Sequence, residues 1–191
     1  AELMKEIALY TEIHKFETCA EFAREFALGA DDLLFTIRPI YEAHFAPLGL
    51  PVKTLFWEDF GSGEPTDLMV EGIVASLAGK EYRRVFAIGG GTILDVAKLF
   101  ALERVAPVTD LFQKKFPAVK KHPLILVPTT CGTGSEVTMG AVISDHDERH
   151  KYAIMDPNLV PKYAVLDPKL TVSMPKFVTA TTGIDALTHA V

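Results

Sequence analysis

The 191-residue chain carries only two cysteines, Cys19 and Cys131, and a single tryptophan. Two cysteines exclude a disulfide scaffold and fit a reducing cytoplasm, the expected location. No apolar run approaches the ~20 residues that span a bilayer, so no membrane association is expected. The opening AELMKEIALYTEIHKF mixes acids and bases and has no apolar core, unlike a signal peptide. There is no basic block either. Nineteen Lys plus Arg stand against 25 Asp plus Glu, a formal charge of −6, and nucleic acid is not an expected partner. Internal repeats and low-complexity tracts are missing. So are the G-x-G-x-x-G fingerprint and a Walker loop.

What is present is ordinary globular composition, 49% hydrophobic and 23% charged. Short apolar runs alternate with longer amphipathic stretches, which argues an α/β fold. Strands are expected at Ile7–Phe16, Asp32–Ile37, Val52–Trp57, Arg84–Ile88, Leu124–Val127 and Tyr163–Leu166. Helices are expected from Thr18, where Glu21 completes capping-box spacing, and over Pro39–Phe45, Thr66–Leu77 and Thr92–Leu102. Such βα units build a parallel sheet, with ligands beyond the carboxyl ends of the strands. Gly140–Ser144 and Lys151–Met155 flank DHDERH as a hairpin. A last helix is expected around Thr181–Val191. It stops while still apolar and without a C-cap, and we expect a truncated chain. An apolar face left uncovered there predicts a homodimer or higher homo-oligomer.

Three constellations carry chemistry. Gly89-Gly90-Gly91-Thr92 follows VFAI and opens a helix whose apolar face holds Ile93, Val96, Ala97, Phe100 and Ala101. Glycines let a ligand approach the backbone, and the helix N-terminus offers free N–H groups to a phosphate. The plainer reading is a tight turn with Thr92 as N-cap and Asp95 completing a capping box. Second, PTTCGTGSEVT follows a buried strand and offers many small donors to a nucleotide, or to its own backbone. Third, Asp185 and His189 stand four residues apart on one helix face. They suit a divalent metal or a simple i,i+4 hydrogen bond. His14, His44, His122, His146 and His150 read as surface residues.

Together AIGGGTILDVAK, LVPTTCGTGSEVT, KYAVLDPKLT and TTGIDALTHA, in that order, resemble the iron-dependent (group III) alcohol dehydrogenases. The resemblance covers essentially the whole chain. KFETCAEFAREFALGADDLLFT and GSGEPTDLMVEGI are similar to the branch of that family acting on 4-hydroxybutyrate. The resemblance implies a parallel-sheet, Rossmann-like dinucleotide-binding domain over residues 1–180. The truncated start of an all-helical metal-binding domain would follow over residues 181–191.

It further implies that Gly90, Gly91 and Thr92 hold the cofactor pyrophosphate. Asp95 would lie toward the nicotinamide. Thr129, Thr130, Thr133 and Ser135 would line the nucleotide, with Lys151 and Leu170 near its ribose and adenine. Asp185 and His189 match the first two metal ligands and would act in catalysis through the metal. Two further histidines of the family's Asp-His₃ site would lie downstream, so this chain alone is not expected to turn over. The implied reaction moves a hydride between a small alcohol, 4-hydroxybutyrate first, and NAD. The metal, Fe²⁺ or alternatively Zn²⁺, polarises the substrate oxygen. One departure bears on the cofactor. Ile37 stands where NAD-preferring members carry an Asp, and Arg38 follows, so NADP stays open behind NAD. Alternatives are a butanol or propanediol enzyme of the same family, a zinc relative of the glycerol dehydrogenase or dehydroquinate synthase type, and a catalytically incomplete nucleotide-binding fragment.

Overall fold

The structure, a computed structural model, describes residues 10–147 and 150–191. Residues 7–9 of the first expected strand and part of the hairpin tip lie outside the described residues.

Six parallel strands form one sheet in the order β1-β8-β5-β4-β2-β3. They are β1 (Glu12–Lys15), β2 (Asp32–Thr36), β3 (Lys53–Phe56), β4 (Arg84–Gly89), β5 (Leu124–Pro128) and β8 (Tyr163–Leu166). The connecting helices are α1 (Cys19–Glu25), α2 (Arg38–His44), α3 (Asp67–Leu77), α4 (Gly91–Phe100), α5 (Val108–Phe112) and α6 (Lys169–Val172). β6 (Gly140–Ser144) and β7 (Lys151–Met155) form the expected antiparallel ribbon. α7 (Lys176–Ala190) ends the chain.

The three central strands are apolar at nearly every position because both faces of the sheet are covered. Side chains alternate between two cores, as the two-residue period of a strand requires. Leu33, Phe35, Val85, Ala87, Leu124 and Leu126 pack with α3, α4, α5 and the β6–β7 ribbon. Leu34, Phe86, Ile88, Ile125 and Val127 pack with Phe22, Phe45 and Leu170 on the other face.

Element ends follow local chemistry. Thr18 caps α1 by accepting from the Glu21 N–H, and Glu21 reaches back to the Glu17 N–H, one residue beyond a standard capping box. Thr66 caps α3 through the Met69 N–H. The amino ends of β2 and β4 are joined by Asp32, 1% exposed, which accepts from Arg84 Nε at 2.8 Å and Nη2 at 2.7 Å.

Several expectations change. α7 begins at Lys176, after Pro175, rather than near Thr181, so residues 180 and 181 are neighbours inside one continuous helix. Every residue of α7 is at least partly exposed, with Phe177, Ile184 and Leu187 among the large apolar side chains facing outward. His122 is buried, not superficial, and its ring lies 4.3 Å from that of Tyr82. Tertiary closure over the α4–β5 connection covers it, which its polar neighbours in sequence conceal. His146 is partly exposed but held: its Nδ1 lies 2.9 Å from Asp67 Oδ1. His14 is half-buried, its ring 5.3 Å from Tyr163.

Two predictions follow from these ionisable groups. Asp32→Ala strands a partly buried guanidinium, so unfolding by denaturant should show a loss of about 3 kcal/mol. The two histidines pull stability in opposite directions. Burial, then the Lys121 charge, pushes the His122 pKa below its ordinary 6.5. Its neutral form is therefore favoured in the fold, and stability falls as pH drops below 6.5. The hydrogen bond to Asp67 raises the His146 pKa above 6.5. That contribution is complete below 6.5 and is lost as pH rises through the higher folded value. Stability measured against pH should decline in both windows, and His146→Gln should abolish only the upper decline.

Candidate functional site

β4 runs directly into a glycine turn. A Cβ on Gly89 would lie 2.6 Å from the Ile93 side chain, so the chain can turn into α4 here only without one. The N-cap of α4 is Gly90, not Thr92, and it supplies no side chain to the first turn. Thr92 lies inside the helix, and Asp95 does not complete a capping box. The leading N–H groups of this ten-residue helix therefore remain available to an anion, with the positive end of the helix dipole behind them.

The loop after β5 closes over this turn. The Thr129 N–H extends the β4–β5 ladder onto the Gly89 carbonyl at 3.0 Å. Thr130 approaches Gly90, since a Cβ there would sit 3.5 Å from its methyl. Thr133 approaches Gly91 more closely, at 2.9 Å from such a Cβ. Gly134 turns the loop at φ +61°, and Ser135–Val137 follow as one 3₁₀ turn.

Beneath the loop lies Lys98, fully buried. Four acceptors share its three N–H groups: Ser135 Oγ (2.9 Å), Asp95 Oδ1 (3.0 Å), Thr138 Oγ1 (3.2 Å) and the Gly140 carbonyl (2.5 Å). Burial lowers its pKa, and the Asp95 carboxylate works against that shift. Asp95 also accepts from Ser135 Oγ at 2.5 Å and from the Val142 N–H at 3.3 Å. Asp95 is thus largely spent on holding the loop and the β6–β7 ribbon to α4.

A cavity of about 220 Å³ opens between these parts. Gly91, Thr92, Asp95, Thr133 and Lys151 line it, together with Glu64, Pro65 and Ser144. Lys151 pairs with Glu64 at 2.8 Å, and Ser144 donates to the other Glu64 oxygen at 3.1 Å. Those contacts, Lys151 first, hold the Glu64 carboxyl below its ordinary range.

Of the nucleotide-contacting residues expected from sequence, Gly91, Thr92, Asp95, Thr133 and Lys151 meet in this cavity, with Gly90 and Thr130 beside it. Thr129 and Ser135 are buried under the loop. Leu170 does not line the cavity: it is buried in the second core with Phe22 and Val127. Lys98 and Glu64 escaped the sequence reading. The signal for Lys98 was a charge in the stretch IleLeuAspValAlaLys that is otherwise wholly apolar around Asp95. For Glu64 the sequence offered only an acid between glycine and proline.

The same loop positions α7. A Cβ on Gly132 would collide with the backbone carbonyl of Thr182, so glycine permits loop and helix to touch. One turn further on, Asp185 Oδ1 and His189 Nε2 face each other at 3.9 Å, both exposed. A carboxylate and an imidazole at this separation fit two positions around one divalent ion. Among the described residues no third histidine, cysteine or carboxylate joins them.

Arg38, considered above for a 2′-phosphate, is engaged elsewhere. It forms an ion pair with Asp59, and its guanidinium lies 4.3 Å over the Phe56 ring. Its N–H donates to Glu58 at 2.9 Å. Ile37 packs against the core. Cys19 is inert: its thiol donates to Asp167 at 3.7 Å, and burial with that carboxylate pushes its pKa up to about 12.

The family model described as iron-containing alcohol dehydrogenase matches residues 17–168. The chain is 37% identical over 187 residues to 4-hydroxybutyrate dehydrogenase of Clostridium kluyveri, covering 98% of this chain and 50% of that protein. It is 35% identical over 178 residues to choline dehydrogenase of Bacillus subtilis, covering 86% of this chain and 44% of that one. A sulfoacetaldehyde reductase from Bifidobacterium kashiwanohense, solved with NAD⁺, superposes with a TM-score of 0.83 at 27% identity. That match covers 99% of this chain and 53% of the other. The chain spans about half the length of these relatives.

Lys98→Met should leave Asp95 and Ser135 without their buried cation. The expected cost is about 3 kcal/mol in denaturant unfolding, and the loop at residues 129–138 should become susceptible to proteolysis.

Proposed function

The chain belongs to the iron-containing alcohol dehydrogenase family, and from that premise we propose that it is the cofactor-binding portion of a metal-dependent oxidoreductase. The reaction is hydride transfer between a small alcohol and its aldehyde, with NAD as partner and NADP as the alternative. The substrate pair we favour is 4-hydroxybutyrate and succinate semialdehyde, supported by the 37% identity that runs through 98% of the chain.

The observation that carries this reading is the uncapped N-terminus of α4 at the end of β4, facing Thr133 and Lys151 across one cavity with Thr130 beside it. Backbone N–H groups at Gly91 and Thr92 would hold the two phosphates, helped by the helix dipole. Threonine hydroxyls and the Lys151 ammonium would bind the adjoining sugar. The Lys98–Asp95–Ser135 knot keeps that cradle in shape before the cofactor arrives. Bound NAD supplies the hydride acceptor, and a bound divalent metal supplies a Lewis acid toward the substrate oxygen. Asp185 and His189 would provide two of the metal donors, iron being favoured over zinc. The other donors would come from a helical domain that continues α7 in a longer protein. The exposed apolar side chains of α7 would pack there or against a second copy. No helix among the described residues is long and apolar enough to cross a membrane; the cytoplasmic setting is inferred from the two free cysteines alone.

Fluorescence titration of this chain with NADH tests the reading without needing the remaining metal ligands. Saturable binding is expected. Gly90→Ala should keep the fold, because its Cβ finds only ordinary contact with Thr130. It should weaken NADH binding about tenfold by filling the approach to the phosphates. Equal affinity in the variant, or no binding by a folded chain, would refute the proposal.

A further inference from the structure

Arg38 sits at the carboxyl end of β2, the strand that borders β4 and its glycine turn. In a dinucleotide-binding sheet the strand end beside the glycine turn meets the adenosine ribose, where an acid selects a free 2′-hydroxyl and an arginine selects a 2′-phosphate. Ile37 removes the acid from this strand, and the sequence alone would then read Arg38 as a phosphate ligand. The neighbouring strand changes that. β3 lies on the far side of β2, in parallel register, with Thr36 opposite Phe56. Immediately after it, a 3₁₀ turn over Trp57–Asp59 presents two carboxylates to the same place. Asp59 takes the guanidinium, Glu58 takes the Arg38 backbone N–H, and Phe56 supports the guanidinium from below at 4.3 Å.

We propose that Asp59, with Glu58, is the cofactor-selecting residue of this chain, replacing from β3 the acid that β2 lacks. The inference rests on the nucleotide reading above. Two effects add. The guanidinium that would meet a 2′-phosphate is already paired and stacked. The two carboxylates also place negative charge where a phosphate of nearly two negative charges would come, while a ribose diol can donate to them. An exposed ion pair adds little stability by itself, so Arg38 is released to a 2′-phosphate without loss of the fold once the Asp59 charge is removed. Cofactor preference is thus set by two strand ends acting together. Arg38 becomes a phosphate ligand only once its partner is removed.

The test is a parallel titration of this chain and three variants with NADH and with NADPH, each variant first checked by circular dichroism. The unaltered chain should bind NADH at least about tenfold more tightly than NADPH. Asp59→Asn should shift that ratio toward NADPH by about tenfold, the free guanidinium now meeting the phosphate. Glu58→Gln should shift it in the same direction by less. The double variant R38Q/D59N should lose the gain in NADPH affinity, which a general loosening of the turn would not do. A ratio unmoved by Asp59→Asn, or an unaltered chain that prefers NADPH, would overturn this inference and leave the nucleotide site standing. Binding of neither nucleotide would overturn the nucleotide reading itself, and this inference with it.

Discussion

A single ammonium group, buried without access to water, organises the site. Lys98 reaches from α4 to Ser135, Thr138 and Gly140 and is balanced by Asp95 on its own helix. Removing a charge from water is costly, so such a group is tolerated only when its donors are fully used. Each of its partners is therefore fixed in turn. The loop after β5 is held against the glycine turn, and the β6–β7 ribbon is held against α4. The glycine turn, the threonines and Lys151 owe their common cavity to that knot more than to any direct contact among themselves.

The two cores supply the frame on which this depends. Alternate side chains of β2, β4 and β5 are buried on opposite faces, so the strands cannot slip by one residue without exchanging the cores. With the register fixed, the carboxyl ends of β2, β3, β4 and β5 stay level. That alignment brings Arg38, Asp59, the glycine turn and the threonine loop to one edge. α7 joins them through the backbone contact with Thr182 that Gly132 allows.

Local signals in the sequence were sufficient wherever a physical rule acts over a few residues. The short continuous apolar runs marked the strands, Thr18 and Thr66 marked helix starts, and the triple glycine marked the turn that a Cβ would block. The α7 boundary was less legible. Pro175 starts the helix, but the threonines and glycine that follow weaken its helical signature, and the reading began five residues late. The burial of His122 is hidden in the sequence for a different reason. Its neighbours in sequence are charged, whereas its neighbours in space are Tyr82 and the turn around Ala101.

From sequence alone came the α/β class, the strand positions, the glycine turn, the i,i+4 pairing of Asp185 with His189, and the family resemblance. All of these depend on spacing along one chain, where geometry per residue is fixed by backbone sterics. Only the tertiary structure decided what each charged side chain is paired with. Asp95 turned inward to Lys98, Glu64 met Lys151 across 87 residues, and Arg38 was taken by Asp59 from the next strand. Leu170 likewise went to the core and not to the cavity. Electrostatic and packing partners are chosen by proximity in space and by the cost of leaving a polar group unpaired when buried, and neither quantity is written in the order of residues.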